Sequence, residues 1–283
     1  MKAIDMTRFG QTIYWSIITG KKGLTNSFIG LFITYLLVIG INTGMFEGYS
    51  GNINQFRIAT AAATCLVSWV VAGGWITADL FKNIRTKQQR TQFFMLPATN
   101  QEKFWSRVVF AMTNALVISS VALVCADLVQ MLISFIFSGE SMSVVKNIFS
   151  HIHELIDFNI NVTTGERVYG LPVILKNISH LAGILFLVST YILGGTVFKR
   201  VPAIMTSVCW VIVMIAFGFC VTHISASLFD LFPSMSIEFW WDPMITTSVV
   251  TTAICIALIS FNLWLSYRIF TKMEVISNKW TNI

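Results

Sequence analysis

The chain of 283 residues is strongly apolar, with 55% hydrophobic residues, only 11% charged residues and a mean hydropathy of +0.72. Too few polar side chains remain to cover a soluble globule of this size, so the composition predicts an all-α integral membrane protein. Basic loops retained on the cytoplasmic side of a membrane account for the net charge of +6, and nucleic acid is not an expected partner.

The N-terminal segment, residues 1–22, has the pattern of an amphipathic elbow helix lying in the cytoplasmic interface ahead of the first span. Its apolar and polar side chains would lie on opposite faces, and a disordered tail is the alternative. The segment lacks the continuous apolar core and small-residue cleavage site of a signal peptide. The apolar positions are Ile4, Phe9, Ile13, Trp15 and Ile17, and the polar positions are Lys2, Asp5, Arg8 and Gln11.

Six apolar runs are each long enough to cross about 30 Å of hydrocarbon as a helix. Six spans place both termini and two of the connections on one side of the membrane, and these segments hold 15 of the 19 Lys and Arg residues. Because basic loops stay in the cytoplasm, both termini are predicted to be cytoplasmic. No proline interrupts a run centrally, which favours unbroken helices. The predicted spans are approximately Leu24 to Gly44, Ile58 to Leu80, Val108 to Met131 with an extension to Phe137, Ile178 to Phe198, Ala203 to His223 and Met244 to Tyr267.

Residues 82–107, between the second and third spans, form a basic and polar block with six Lys and Arg residues. Such a block cannot lie in hydrocarbon. Ile84 to Gln92 is compatible with a basic surface helix, and Pro97 would stop that helix. Thr99 and Glu102 then match the capping box that opens a new helix. An ordinary cytoplasmic loop remains the alternative reading.

Two connections on the other side of the membrane have distinct patterns. The long outer loop, 138–176, contains an amphipathic helical pattern from Val145 to Asp157, and turns are expected over Asn159 to Gly170. Residues 224–243 are apolar and aromatic but too interrupted to span, which predicts a re-entrant or interfacial hairpin. The glycine pairs Gly73-Gly74 and Gly194-Gly195 are typical of close helix packing.

Asp127 is the one acidic residue deep in a predicted span, where a charge costs about 2.5–3.5 kcal/mol. It is therefore a candidate pathway residue, unless the third span ends near Cys125 and Asp127 is interfacial. Asp79 would form an ion pair with Lys82 or Arg85. The five cysteines and the pair His151 and His153 lack metal-ligand spacing, so no metal site is predicted.

The order Phe93-Phe94-Met95-Leu96-Pro97-Ala98-Thr99, followed by Glu102-Lys103-Phe104 and Arg107, resembles the cytoplasmic connection of type-2 permease subunits of ATP-binding-cassette (ABC) exporters. In that family a short coupling helix and a Leu-Leu-Pro-Ala/Val-Ser/Thr stretch lead into the third span. The layout resembles the family over the whole chain: elbow helix, six spans, cytoplasmic termini and a hairpin before the sixth span. Met95 and the helical outer loop depart from the pattern.

The resemblance implies one transmembrane permease domain over residues 1–283 in a plasma (bacterial inner) membrane, exporting a hydrophobic, lipid-linked or peptide-like cargo. No G-x-x-x-x-G-K-[ST] motif occurs, so ATP and Mg would bind a separate ATPase subunit, present in two copies. A second permease half, identical or paralogous, and membrane lipid are the other expected partners. The implied docking residues are Ile84, Arg85, Lys87, Gln88, Arg90 and Thr91, and Leu96, Pro97, Thr99 and Glu102 would shape the coupling loop.

Two alternatives belong to other classes. A scaffold or assembly subunit of a membrane complex is compatible with the same spans, because nothing in them must line a pathway. A membrane-embedded hydrolase is disfavoured, because no G-x-S-x-G occurs and the two deep acids, Asp79 and Asp127, lie at opposite depths. The test that separates transport from scaffolding is whether an ATPase chain copurifies.

Overall fold

The computed structural model describes residues 5–43, 55–79, 87–138, 143–157, 159–160, 167–168, 170–198, 200–231 and 243–272. Helices make up almost all of this part of the chain. They are α1 (Met6–Thr43), α2 (Gln55–Ala78), α3 (Lys87–Phe94), α4 (Asn100–Ser138), α5 (Val144–Asp157), α6 (Leu171–Val197), α7 (Pro202–Leu231) and α8 (Pro243–Thr271).

Five of these helices, α1, α2, α4, α6 and α8, are long and apolar enough to cross a membrane. Large apolar side chains also face outward, as on α4, where Leu132 is 64% exposed and Phe135 is 63% exposed. A surface of this kind is stable in lipid and not in water, so the expected membrane-embedded class is confirmed. The apolar stretch Pro202–Ala216 of α7 is shorter, and the sixth span stays a prediction.

Helix α1 is continuous, so no break in the helix separates the predicted elbow from the first span, and the interfacial position of residues 1–22 stays a prediction. At 38 residues α1 is about 57 Å long, well beyond the hydrocarbon thickness of about 30 Å. The physical reason is its partner: α4 is equally long and lies alongside it. Small residues near the start of α1, Thr12, Ser16 and Gly20, are buried, so this segment packs as part of the bundle.

Helix α4 begins next to the predicted start at Thr99 and continues past Asp127 to Ser138, in agreement with the predicted extension to Phe137, and the alternative of a span that ends near Cys125 stays a prediction. The helix predicted in the outer loop is confirmed as α5. Its Val144 and Ile148 are buried in one apolar cluster with residues of α2 and α4, such as Ala61 and Ala126, so α5 lies on the bundle. We call this the α5 end of the molecule, and the opposite end, where α3 lies, the α3 end.

The connections differ from their predictions in two places. The stretch expected to form turns contains a two-stranded antiparallel hairpin, β1 (Asn159–Ile160) with β2 (Arg167–Val168), in which Asn159 pairs with Val168. Helix α7 continues to Leu231 and so includes the first part of the predicted outer hairpin. The rest of that hairpin, 232–242, lies outside the described residues. Pro202 and Pro243 begin α7 and α8, which agrees with the prediction that no proline interrupts a span centrally.

Helix α6 joins the bundle through small and polar contacts. A Cβ added at Gly195 would lie 2.6 Å from the carbonyl oxygen of Ala78 on α2, so the two backbones approach closely. Tyr191 and Ser207 share a hydrogen bond of 2.9 Å between α6 and α7. The close packing predicted for the glycine pairs is confirmed at Gly74, Gly194 and Gly195, whereas a Cβ at Gly73 would meet nothing within 4 Å.

Candidate functional site

The short helix α3 and the turn after it connect α2 to α4. The last turn of α3 closes with a hydrogen bond of 3.0 Å from the Met95 amide to the Thr91 carbonyl. Pro97 cannot donate a backbone hydrogen bond, and the Ala98 amide donates across it to the Leu96 carbonyl at 2.8 Å. The chain therefore reverses direction around Pro97, and the prediction that this proline follows the end of a helix is confirmed.

The predicted capping box at the start of α4 is confirmed. The Thr99 amide donates to Glu102 Oε2 at 2.7 Å, and the Glu102 amide donates to Thr99 Oγ1 at 3.3 Å. Each side chain thereby satisfies a backbone amide that a helix start leaves without a partner. Glu102 is completely buried, so the direction in which α4 leaves the turn is fixed.

The second oxygen of Glu102 contacts a different helix, which the sequence analysis did not foresee. Glu102 Oε1 accepts a hydrogen bond of 2.9 Å from the backbone amide of Asp5, the residue that precedes α1. Asp5 in turn caps α1, because its Oδ1 accepts from the Thr7 amide at 3.0 Å. The Thr7 amide and the Arg8 side chain hold the pKa of Asp5 below its usual value. An Asp ahead of an apolar-periodic run was the available signal.

Aromatic side chains attach α3 to the bundle. The cluster consists of Trp15, Phe93, Phe94, Phe104 and Phe270, and we call it the aromatic anchor. Phe93 is fully buried; its ring centroid lies 5.6 Å from that of Trp15 on α1 and 6.2 Å from that of Phe270 on α8. Each such pair contributes about 0.5–1.5 kcal/mol beyond simple burial. One residue of α3 thus contacts two other helices directly.

A lysine closes the same arrangement from α4. Lys103 Nζ donates a hydrogen bond of 2.8 Å to the carbonyl oxygen of Phe94, the last residue of α3. A cation at the end of a helix satisfies a free carbonyl and interacts favourably with the helix dipole. Helix α3 is therefore joined to α1, α4 and α8 by aromatic contacts and hydrogen bonds.

The structure shows only part of the predicted docking set. Lys87, Gln88, Arg90 and Thr91 lie in α3, where Gln88 is exposed and Thr91 is half-buried. Ile84 and Arg85 lie outside the described residues. Lys82 lies outside them too, so the predicted ion pair of Asp79 with Lys82 or Arg85 stays a prediction. Leu96, Pro97, Thr99 and Glu102 come together in the turn between α3 and α4.

Asp127 lies at the α5 end, about 38 Å along α4 from Glu102, and the structure does not bring it near the docking set. It is 97% buried and accepts three hydrogen bonds from the start of α5: Ser143 Oγ at 2.6 Å, the Val144 amide at 2.8 Å and the Val145 amide at 3.3 Å. These donors explain how a carboxylate is accommodated there. Asp127 caps α5 together with Ser143, whose Oγ accepts from the Lys146 amide at 3.0 Å, and a pathway role for Asp127 stays a prediction.

Comparison with known proteins gives no match: no family model, no curated protein and no solved structure matches this chain. Within the described ranges, no group of three or more His, Cys, Asp or Glu residues is arranged to hold a metal ion.

Proposed function

We propose that this protein is the membrane-spanning permease subunit of an ABC exporter, which moves a hydrophobic, lipid-linked or peptide-like cargo with energy from ATP hydrolysed by a separate chain. The observation that carries the proposal is the attachment of α3. A short helix with an exposed polar residue, Gln88, is held at the base of α1, α4 and α8 by the aromatic anchor and by Lys103. This is what a coupling helix requires mechanically.

In this mechanism the ATPase binds the exposed face of α3, and closure of two ATPase copies around ATP and Mg displaces that helix. Phe93 would transmit the displacement to α1 and α8, and Lys103 would transmit it to α4. Close-packed interiors move as units instead of deforming smoothly. Two such permease halves, identical or paralogous, would surround one pathway in the plasma (bacterial inner) membrane, with both termini cytoplasmic.

The charges of the basic connection provide the first test. The double reversal Arg85→Glu with Arg90→Glu should abolish copurification of the ATPase, because reversal of the charge on one side of a complementary interface opposes binding. The tagged protein would be purified from its native membranes, the copurifying chains identified by mass spectrometry, and ATP hydrolysis measured in the same sample.

The matched control is Lys21→Glu with Lys22→Glu, which changes the net charge equally at two exposed positions of α1. It should retain both the ATPase chain and its activity. Loss of the ATPase in the control as well would contradict docking at α3. If the native protein copurifies without any chain that carries a phosphate-loop motif and hydrolyses ATP, the proposal fails and a scaffold subunit becomes the better reading.

A further inference from the structure

Helix α8 has an inner face that is fixed against the bundle. Asn262 Nδ2 donates a hydrogen bond of 3.1 Å to Ser189 Oγ on α6, and the buried Phe270 belongs to the aromatic anchor. Ser266, one turn from each of these two α8 residues, is also buried. Residues that recur every fourth position lie on one side of a helix. These contacts therefore fix the rotation of α8 about its axis and turn its opposite face outward.

The outer face of α8 carries an apolar strip that ends in positive charge. Ile254, Phe261 and Trp264 are each more than half exposed. Arg268 and Lys272 continue the strip at four-residue steps, and both side chains are exposed to the surroundings of the bundle. Because α8 is long and apolar enough to cross a membrane, lipid can reach every group of this strip.

The charged end of the strip lies at the depth of the lipid headgroups. Arg268 is about 38 Å along α8 from Pro243, where the helix begins. The hydrocarbon core of a bilayer is about 30 Å thick, and the bilayer with its headgroups is about 40–45 Å thick. Since Phe270 belongs to the aromatic anchor, this end of α8 is at the α3 end of the molecule. Arg268 is thus level with the phosphates of the leaflet on that side.

The guanidinium of Arg268 points back along the strip toward the membrane centre. Its central carbon lies 5.3 Å from the ring centroid of Trp264, one turn earlier in α8. Arginines near a membrane surface usually extend toward water, which keeps the charge hydrated. In the described part of the chain, no carboxylate lies within ion-pair distance of Arg268. The ring attracts the cation but supplies no hydrogen-bond acceptor for its five N–H donors.

We propose that the outer face of α8 binds an anionic phospholipid, whose phosphate accepts hydrogen bonds from Arg268 beside Trp264 while an acyl chain lies along Phe261 and Ile254. Phosphate oxygens match a guanidinium in both geometry and charge. Lys272 adds a second cation, which favours a lipid with net negative charge over a zwitterionic one. Ile254 and Arg268 are about 21 Å apart along α8, which equals about half the thickness of a bilayer. The inference does not depend on the transport function.

The test replaces Phe261, whose ring centroid lies 6.1 Å from that of Trp264, with photoreactive benzoylphenylalanine. The full-length protein is reconstituted into bilayers with equal amounts of dioleoyl-phosphatidylglycerol and dioleoyl-phosphatidylcholine, which share their chains and differ in net charge. After illumination, mass spectrometry identifies the crosslinked species. We expect the phosphatidylglycerol adduct to exceed the phosphatidylcholine adduct by about fivefold or more. Equal yields would overturn the headgroup site, and crosslinking to a second copy of the chain would overturn lipid as the occupant.

Two variants in the same photoreactive background test the two groups of the site. Arg268→Gln removes the charge and should lower the adduct ratio by about fivefold, and Trp264→Leu removes the ring that holds the guanidinium and should lower it as well. Both side chains are exposed, so the bundle should still fold. The matched control is Lys22→Gln, which removes one positive charge from an exposed position of α1 and should leave the ratio unchanged. An unchanged ratio in either site variant, or an equal decrease in the control, would refute the site.

Excess glycerol 3-phosphate separates a lipid headgroup from a free anion. It carries the phosphate without acyl chains, so it should leave the phosphatidylglycerol adduct of the native site undiminished, because the chain contacts along α8 favour the lipid. If glycerol 3-phosphate instead abolishes the preference for phosphatidylglycerol, Arg268 binds a small anion and the lipid site is refuted.

Discussion

At the scale of single residues, α4 carries two buried carboxylates that have the same physical role, Glu102 at the α3 end of the molecule and Asp127 at the α5 end. Glu102 accepts backbone amides from the starts of α4 and α1, and Asp127 accepts amides from the start of α5. A helix start has free amides and a partial positive charge, so a buried carboxylate is stabilised there. In both cases the acid determines where another helix begins.

This role leads to a prediction for Asp127→Asn that concerns α5. The amide oxygen can replace only one of the two carboxylate oxygens, and the NH2 group in the place of the other cannot accept from Val144 or, with the amide reversed, from Ser143 and Val145. Loss of a cap costs about 1–2 kcal/mol, which corresponds to roughly 5- to 30-fold faster opening. Hydrogen–deuterium exchange of peptides from α5 should speed up by about that factor, with α8 peptides unchanged.

The matched control is Gln130→Met, which replaces another buried polar residue one turn further along α4. Its Nε2 donates to Ser134 within the same helix, so α5 should keep its native exchange rate. If Asp127→Asn leaves α5 equally protected, the cap is not what holds this helix. A pathway role would then become the better explanation for Asp127.

The same residues show how far sequence reasoning reached. The capping box of Thr99 and Glu102 could be predicted because its partners lie three residues apart. The bond from Asp5 to Glu102 joins residues 97 positions apart, and no local pattern encodes it. Arg107 could be named only as part of the basic block and of the motif that follows α3, because its contact with Trp15 joins residues 92 positions apart.

At the scale of elements, glycines decide how closely α6 approaches its neighbours. A Cβ at Gly195 would lie 2.6 Å from the backbone oxygen of Ala78, and backbone cannot swing aside as a flexible side chain can. A Cβ at Gly183 on the same helix would lie in open space. The two glycines therefore separate a packing effect from a helix-propensity effect.

We expect Gly195→Ala and Gly183→Ala to change stability in opposite directions. Forced separation of α2 and α6 should cost about 1–3 kcal/mol at Gly195, whereas alanine at Gly183 should stabilise the helix by about 0.5–1 kcal/mol. Thermal unfolding of the purified variants in one detergent would measure both. A Gly195→Ala protein as stable as the native one would show that α2 and α6 pack less closely than the structure indicates.

Helices with a strong local sequence pattern could be predicted, but the length over which a helix continues without a break could not. Helix α5 followed from its apolar repeat, and the end of α3 followed from Pro97. The sequence favoured a division of α1 because charges at Lys21 and Lys22 separate its apolar stretches. Packing against α4 keeps the helix continuous through these charges, which is a tertiary effect that propensity does not report.

At the scale of the whole molecule, the orientation in the membrane rests on the distribution of Lys and Arg. It predicts that the α3 end is cytoplasmic and the α5 end is exterior. Single cysteines at the exposed positions Gln88 and Ser150, in a background without the native cysteines, would report the two sides. In intact cells an impermeant maleimide should label Ser150→Cys, and Gln88→Cys only after the membrane is permeabilised.

The reverse labelling pattern would invert the orientation. It would also remove the basic connection from the compartment that contains ATP, and the proposed function would fail with it. Labelling of both positions in intact cells would indicate damaged membranes, which a cytosolic thiol protein detects as a control.

The pairing of α1 with α4 has a consequence for biosynthesis. Residues 44–99 separate the two helices, and at about 5–20 residues per second their synthesis takes several seconds. During that time α1 is already complete, but Trp15 and the Asp5 amide have no partner on α4. The nascent chain therefore completes the contacts at the start of α1 only when α4 is made, and until then α1 can pack only against α2.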